Sequence, residues 1–118
     1  MKFVSDETYG KIRRHLSGVI DKTVQANTLG TLPVGAVIKK VTVGIRTAFN
    51  GTSATIDVGN ATTAGAYMAN TAVTEATAGT YVYLPNVSAL TAATAILATV
   101  GGTVGSTGDA TIDVEYEV

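Results

Sequence analysis

Asp109-Ala110-Thr111-Ile112-Asp113-Val114-Glu115-Tyr116-Glu117-Val118 alternates without a break. Ala110, Ile112, Val114, Tyr116 and Val118 share one phase, and Thr111, Asp113, Glu115 and Glu117 share the other. A period of two marks a strand with one face in a core and the other outside it. The outer face carries Asp113, Glu115 and Glu117 at successive positions, and such carboxylates repel one another unless cations lie close by. The cations are all at the other end of the chain: the eight lysines and arginines fall between Lys2 and Arg46. Either Lys40, Arg46 or the cluster around Arg13 lies beside this strand in the same subunit, or the next molecule supplies the positive charge. A basic beginning and an acidic end favour association by opposite charge.

Other segments share the period of two. In residues 36–49, Val37, Val41, Val43 and Ile45 hold one phase and Lys40, Thr42 and Arg46 the other, with Lys39 in the apolar phase near the strand entrance, where its head can reach water. Leu32-Pro33-Val34-Gly35 before it reads as a turn. Asn50-Gly51 after it predicts a type I′ hairpin, with Ala54-Thr55-Ile56-Asp57-Val58 as the return strand. Tyr81-Val82-Tyr83-Leu84 and Ile96-Leu97-Ala98-Thr99-Val100 read as further strands, closed by Pro85-Asn86 and Gly101-Gly102. Residues 60–80 read as a long surface connection with a short strand near Tyr67-Met68, and 89–95 as helix or loop. Short strands, glycine-rich turns and no βαβ rhythm predict an all-β fold, an antiparallel β-sandwich of jelly-roll-like type.

The first 29 residues follow a different rule. Ile12, Leu16, Val19 and Ile20 recur at three and four, and Ser5 with Asp6 and Glu7 suits a helix start. Gly10 and Gly18 oppose a helix, each costing about 1 kcal/mol in a helix interior. The rival is an extended arm that gains structure against a partner. The expected organisation is an N-terminal arm or short helix over 1–29 and a β-sandwich domain over 30–118.

Composition narrows the function. A chain of 118 residues suits one domain, and its 46% hydrophobic content is mostly Ala and Val with 6% aromatic residues, so each buried position stabilises less than a Leu or Phe would. A net charge of −1 argues against nucleic acid as a partner. The absence of Cys removes disulfides, thiolate metal sites and a cysteine nucleophile. Met1-Lys2-Phe3-Val4-Ser5-Asp6-Glu7 puts acids where a signal peptide needs an apolar run, and no segment is long and apolar enough for a membrane helix. Synthesis in the cytoplasm is the expectation.

Each candidate for chemistry has a plainer reading. His15 is flanked by Arg14 and has no Ser-His-Asp spacing around it, which makes it a surface histidine. Asp57 and Asp113 occupy matching places in the pentapeptide Ala-Thr-Ile-Asp-Val, at 54–58 and 110–114. Paired carboxylates can do acid–base work or bind Ca²⁺, but both fall in outward strand phases and no Asp-x-Asp-x-Asp loop is present. Gly105-Ser106-Thr107-Gly108 lacks the lysine and helix of a phosphate loop. Tyr67, Tyr81 and Tyr83 offer rings for a sugar-stacking or interface patch. No catalytic residue, cofactor or metal is expected.

The stretches Gly30-Thr31-Leu32-Pro33-Val34-Gly35-Ala36-Val37-Ile38, Val41-Thr42-Val43, Thr47-Ala48-Phe49-Asn50-Gly51 and Ile96 through Tyr116 together resemble the small β-sandwich proteins of tailed-bacteriophage virions, among them head decoration (cement) proteins. The resemblance covers residues 30–118 and rests on turn and strand patterns. It implies a non-enzymatic structural role: many copies, as dimers or trimers, on the outside of a virion capsid, bound across joints between copies of the major capsid protein. A tail, neck or head-fibre component, or a small carbohydrate-binding module, are the alternatives. Contact with partners would fall to Lys11, Ile12, Arg13, Arg14, Leu16 and Ile20 of the early segment, and to the acids Asp113, Glu115 and Glu117.

Overall fold

The acidic strand lies inside a sheet. A computed structural model describes residues 12–52, 54–69, 75, 77–103 and 105–118. In it β7 (Asp109–Glu117) is paired antiparallel with β1 (Arg13–Asp21) on one side and β3 (Val37–Thr47) on the other. β5 (Gly79–Tyr83) continues the sheet beyond β3, giving the order β1-β7-β3-β5. A second antiparallel sheet has β2 (Ala26–Leu32), β6 (Thr94–Gly101) and β4 (Thr55–Gly59), in that spatial order. The chain is a β-sandwich, with no helix among the described residues.

The core lies between the inner faces. Ile112, Val114, Val41 and Val43 from the first sheet meet Ile56, Val58, Ile96 and Ala98 from the second, all of them fully buried. Phe49, after β3, and Met68, after β4, belong to the same core. β7 keeps the phase its sequence predicts: Ala110, Ile112, Val114 and Tyr116 face inward.

Three sequence expectations are corrected. Of the two readings of the early segment, arm or short helix, the helix is absent from Ile12–Ile20, and Arg13–Asp21 is strand β1. Its inward positions opposite Val114, Ile112 and Ala110 are Leu16, Gly18 and Ile20. Glycine hides the alternation, because an inward position without a side chain does not register as apolar. It is needed there: a Cβ on Gly18 would collide with Leu29 and Asn27 of β2.

The second correction concerns β3. Its register against β7 slips between Ile38, opposite Tyr116, and Lys40, opposite Glu115, so Lys39 is the extra residue of a β-bulge. A bulge shifts the phase by one. Ile38 is therefore buried, Val37 is not, and Lys39 is turned out to solvent.

The third is the hairpin. β3 and β4 lie in different sheets, and Asn50 does not adopt the positive φ of a type I′ turn. Its side chain instead accepts hydrogen bonds from Ser106 N (2.8 Å) and Thr107 N (3.1 Å) and donates to Ser106 Oγ (3.0 Å). Asn50 thus ties the crossing between sheets to the turn that leads into β7. The Pro33–Ala36 turn is present, closed by Ala36 N donating to Pro33 O, with Gly35 at φ 90° where a type II turn requires it. Tyr67 and Met68 are core residues, and Met68 forms an isolated bridge with Val58. Residues 87–93 lead to β6 without helix.

Candidate interaction surface

The outer face of the first sheet gathers the charge. The β1–β7 register sets Arg13 opposite Glu117, His15 opposite Glu115 and Ser17 opposite Asp113, and on the other side Lys40 of β3 stands opposite Glu115. Arg13 reaches Glu117 at 2.7 Å and Glu115 at 3.2 Å. His15 Nδ1 lies 2.9 Å from Asp113, and Lys40 Nζ is 3.7 Å from Glu115 Oε1. At the far end Arg46, on a second bulge of β3, pairs with Asp109 at 2.8 Å. The cations beside the acidic strand therefore come from the same subunit, the first of the two arrangements the sequence left open.

Glu115 is the centre of this cluster. It points outward, yet its side chain is only 12% exposed. A carboxylate withdrawn from water must be paired to be tolerated, and Arg13, Lys40 and His15 surround it. The hydrogen bond to Glu117 and the charges of Glu115 and Glu117 push the Arg13 guanidinium further above its ordinary value. At the opposite end of β1, Asp21 Oδ1 accepts from Val24 N (2.6 Å), Thr23 Oγ1 (2.7 Å) and Thr23 N (2.8 Å). These bonds, the one from Val24 foremost, hold its carboxyl below the usual carboxylate range and fix the corner between β1 and β2.

The charged face runs into an apolar rim. A groove of about 540 Å³ lies where Arg13, Lys39 and Lys40 meet the chain after β5, at Leu84, Pro85 and Val87. Along the rim Val82, Tyr83 and Leu84 are 55%, 44% and 68% exposed.

The candidate partner residues are distributed as follows. Lys11 lies outside the described residues. Ile12 is half exposed and its backbone pairs with Val118. Arg14 is exposed. Leu16 packs against the core and over Gly30, and Ile20 is fully buried, so Ile20 faces the core rather than a partner. Asp113, Glu115 and Glu117 are joined to β1 and β3 of their own chain. Asp57 and Asp113 do not meet, since one lies on the outer face of β4 and the other on that of β7, in different sheets. Tyr67 is buried and presents no ring for a sugar. No group of His, Cys, Asp and Glu among the described residues could hold a metal ion.

Sequence reasoning missed the place of His15 and the bulge that turns Lys39 outward. His15 was legible in principle: Arg13-x-His15 carries the same period of two as Asp113-x-Glu115-x-Glu117. The bulge at Lys39 leaves no local signal beyond a lysine in the wrong phase.

The geometry defines a small antiparallel sandwich with a self-neutralised charged face and an apolar edge. No family model matches the sequence, and no curated protein matches it. Solved structures that share the fold include chains of two phage capsids. A chain in the capsid asymmetric unit of cyanophage Pam1 superposes with a TM-score of 0.71 at 23% identity, over 100% of this chain and 93% of that one. A chain in the acidic stable capsid structure of Helicobacter pylori bacteriophage KHP30 gives 0.66 at 18% identity, over 92% and 91%.

Proposed function

We propose that this chain is a non-enzymatic structural protein of a tailed-bacteriophage virion, one that decorates the capsid exterior and stabilises it by binding across joints between major capsid proteins. The observation that carries the reading is the shared fold over nearly the whole length of chains from two phage capsid structures. The charged face adds support, because it gathers acids and cations into a lattice of mutual pairs, with Arg13 and Glu115 at the groove already joined to each other. A core of Ile, Val and Ala gains further stability from contacts between many copies.

Reconstitution tests this reading. Empty capsids that lack the protein, mixed with the purified chain and imaged by electron cryo-microscopy, should show added density at symmetry-related sites on the outer surface and withstand heating better than bare shells. Density confined to the neck or tail, or no binding at low salt, contradicts it.

A further inference from the structure

A two-sheet sandwich has exposed strand edges, and this one treats two of them differently. The edge of β4 is covered. Ile56 N donates to Glu75 Oε2 at 2.9 Å, Val58 N to Met68 O at 2.9 Å, and Met68 N to Val58 O at 3.0 Å. β5 has β3 on one side and, among the described residues, no strand on the other. Proteins guard such edges with charges, prolines or bulges, because an unguarded edge is a template for another chain. β5 carries none of these: Gly79-Thr80-Tyr81-Val82-Tyr83 is uncharged, lacks proline and keeps an unbroken register with β3. The sequence has no charged residue between Glu75 and Asp109. Val82 and Leu84 stand out from this edge more than half exposed.

We propose that β5 is the contact through which two copies of this chain pair edge to edge, antiparallel about a two-fold axis at Val82, joining two four-stranded sheets into one continuous sheet. That axis sets Val82 against the partner subunit's Val82, Thr80 against the partner subunit's Leu84 and Tyr81 against the partner subunit's Tyr83. β-branched and aromatic cross-strand pairs are the favourable kind, and the two-fold brings both kinds together. The charge pattern selects a second copy as the occupant. Lys39 and Lys40 flank the Leu84 end of the edge, so the two-fold places the two cationic corners at opposite ends of the paired strands, each beside an uncharged stretch. A strand rich in lysine or arginine would be repelled at that corner, while the protein's own β5 brings no charge to it. The ion pairs on the outer face of this sheet are already made within each chain and take no part in the joint. The contact goes beyond the virion reading and holds whether or not the chain coats a shell.

The chain contains no cysteine, so Val82→Cys introduces a single thiol. Mild oxidation or a short bis-maleimide should convert this variant to covalent dimer, while Thr62→Cys, on an exposed loop, stays monomeric on a non-reducing gel. Sedimentation equilibrium should give a dimer for the unmodified chain. Val82→Lys sets like charges face to face and should raise the dimer Kd by about tenfold or more, with an unchanged circular dichroism spectrum. Leu84→Lys, beyond the last residue of β5, serves if Val82→Lys unfolds. A chain that is monomeric at every concentration overturns the proposal. So does a trimer, or a dimer that both lysine variants leave intact and the Val82 thiol fails to cross-link. Capsid binding by the monomeric Val82→Lys variant reports separately on the virion reading.

Discussion

The four-stranded sheet and the three-stranded sheet share one core but differ in charge. All the ion pairs between described residues lie on the outer face of the four-stranded sheet, across β1, β7 and β3. The strands of the other sheet, Ala26–Leu32, Thr94–Gly101 and Thr55–Gly59, hold a single charged residue, Asp57. The difference follows from chain order. The cations come early and the acids late, and the first sheet is the one that brings the two ends together as neighbouring antiparallel strands. Opposite charge here closes a chain on itself. It does not by itself imply that copies attract one another by salt bridges, and the contact proposed between copies uses uncharged surface instead.

If the two sheets differ in charge but not in packing, truncating the core should cost the same on either side. Ile112→Ala in β7 and Ile96→Ala in β6, both fully buried, should each lose about 2–5 kcal/mol in urea unfolding. A loss confined to one of them would break the comparison, marking that sheet as the sole seat of stability. Asn50→Ala should cost about 1 kcal/mol, because the backbone N–H groups of Ser106 and Thr107 lose their acceptor at the crossing between sheets. Smaller again is the response to salt. Screening weakens exposed pairs, whose worth is about 0–1 kcal/mol each, so added sodium chloride should lower the unfolding midpoint slightly while leaving the molar mass in solution unchanged. A mass that falls with salt would move the ion pairs to an interface.

The last effect belongs to the corner between the sheets and concerns pH. Asp21 has its carboxyl lowered in the folded chain by bonds from Val24 and Thr23. A group lowered on folding adds stability above its unfolded value, about 3.9 for Asp, and loses it as pH falls through the folded one. Stability measured downward from pH 5 should therefore decline, and Asp21→Asn should make that decline shallower.

Strict alternation carried the most reliable information in the sequence. Residues 109–118 keep one phase from end to end, and the structure buries Ala110, Ile112, Val114 and Tyr116 accordingly. Where the chain deviates by a single residue the pattern misleads: the bulge at Lys39 exchanges the faces of Val37 and Ile38, and only a lysine in the wrong phase announces it. Gly18 concealed a strand because its role, making room for Leu29 and Asn27, belongs to tertiary packing. Asn50-Gly51 promised a hairpin from local propensity, and a long-range bond set to Ser106 and Thr107 overrode it. Of the candidate surface, the need for cations beside Asp113, Glu115 and Glu117 was legible, and the exposed edge of β5 was not, since exposure depends on which strand comes last in the sheet.

A double-mutant cycle on Arg13 and Glu117, with Arg13→Gln, Glu117→Gln and the combination unfolded in urea at a concentration where the chain is monomeric, tests internal neutralisation most directly. The account predicts that the two single losses exceed the double loss, a coupling of about 0.2–1 kcal/mol that fades in high salt. Strictly additive losses in the monomer, with coupling emerging only when copies associate, would contradict it.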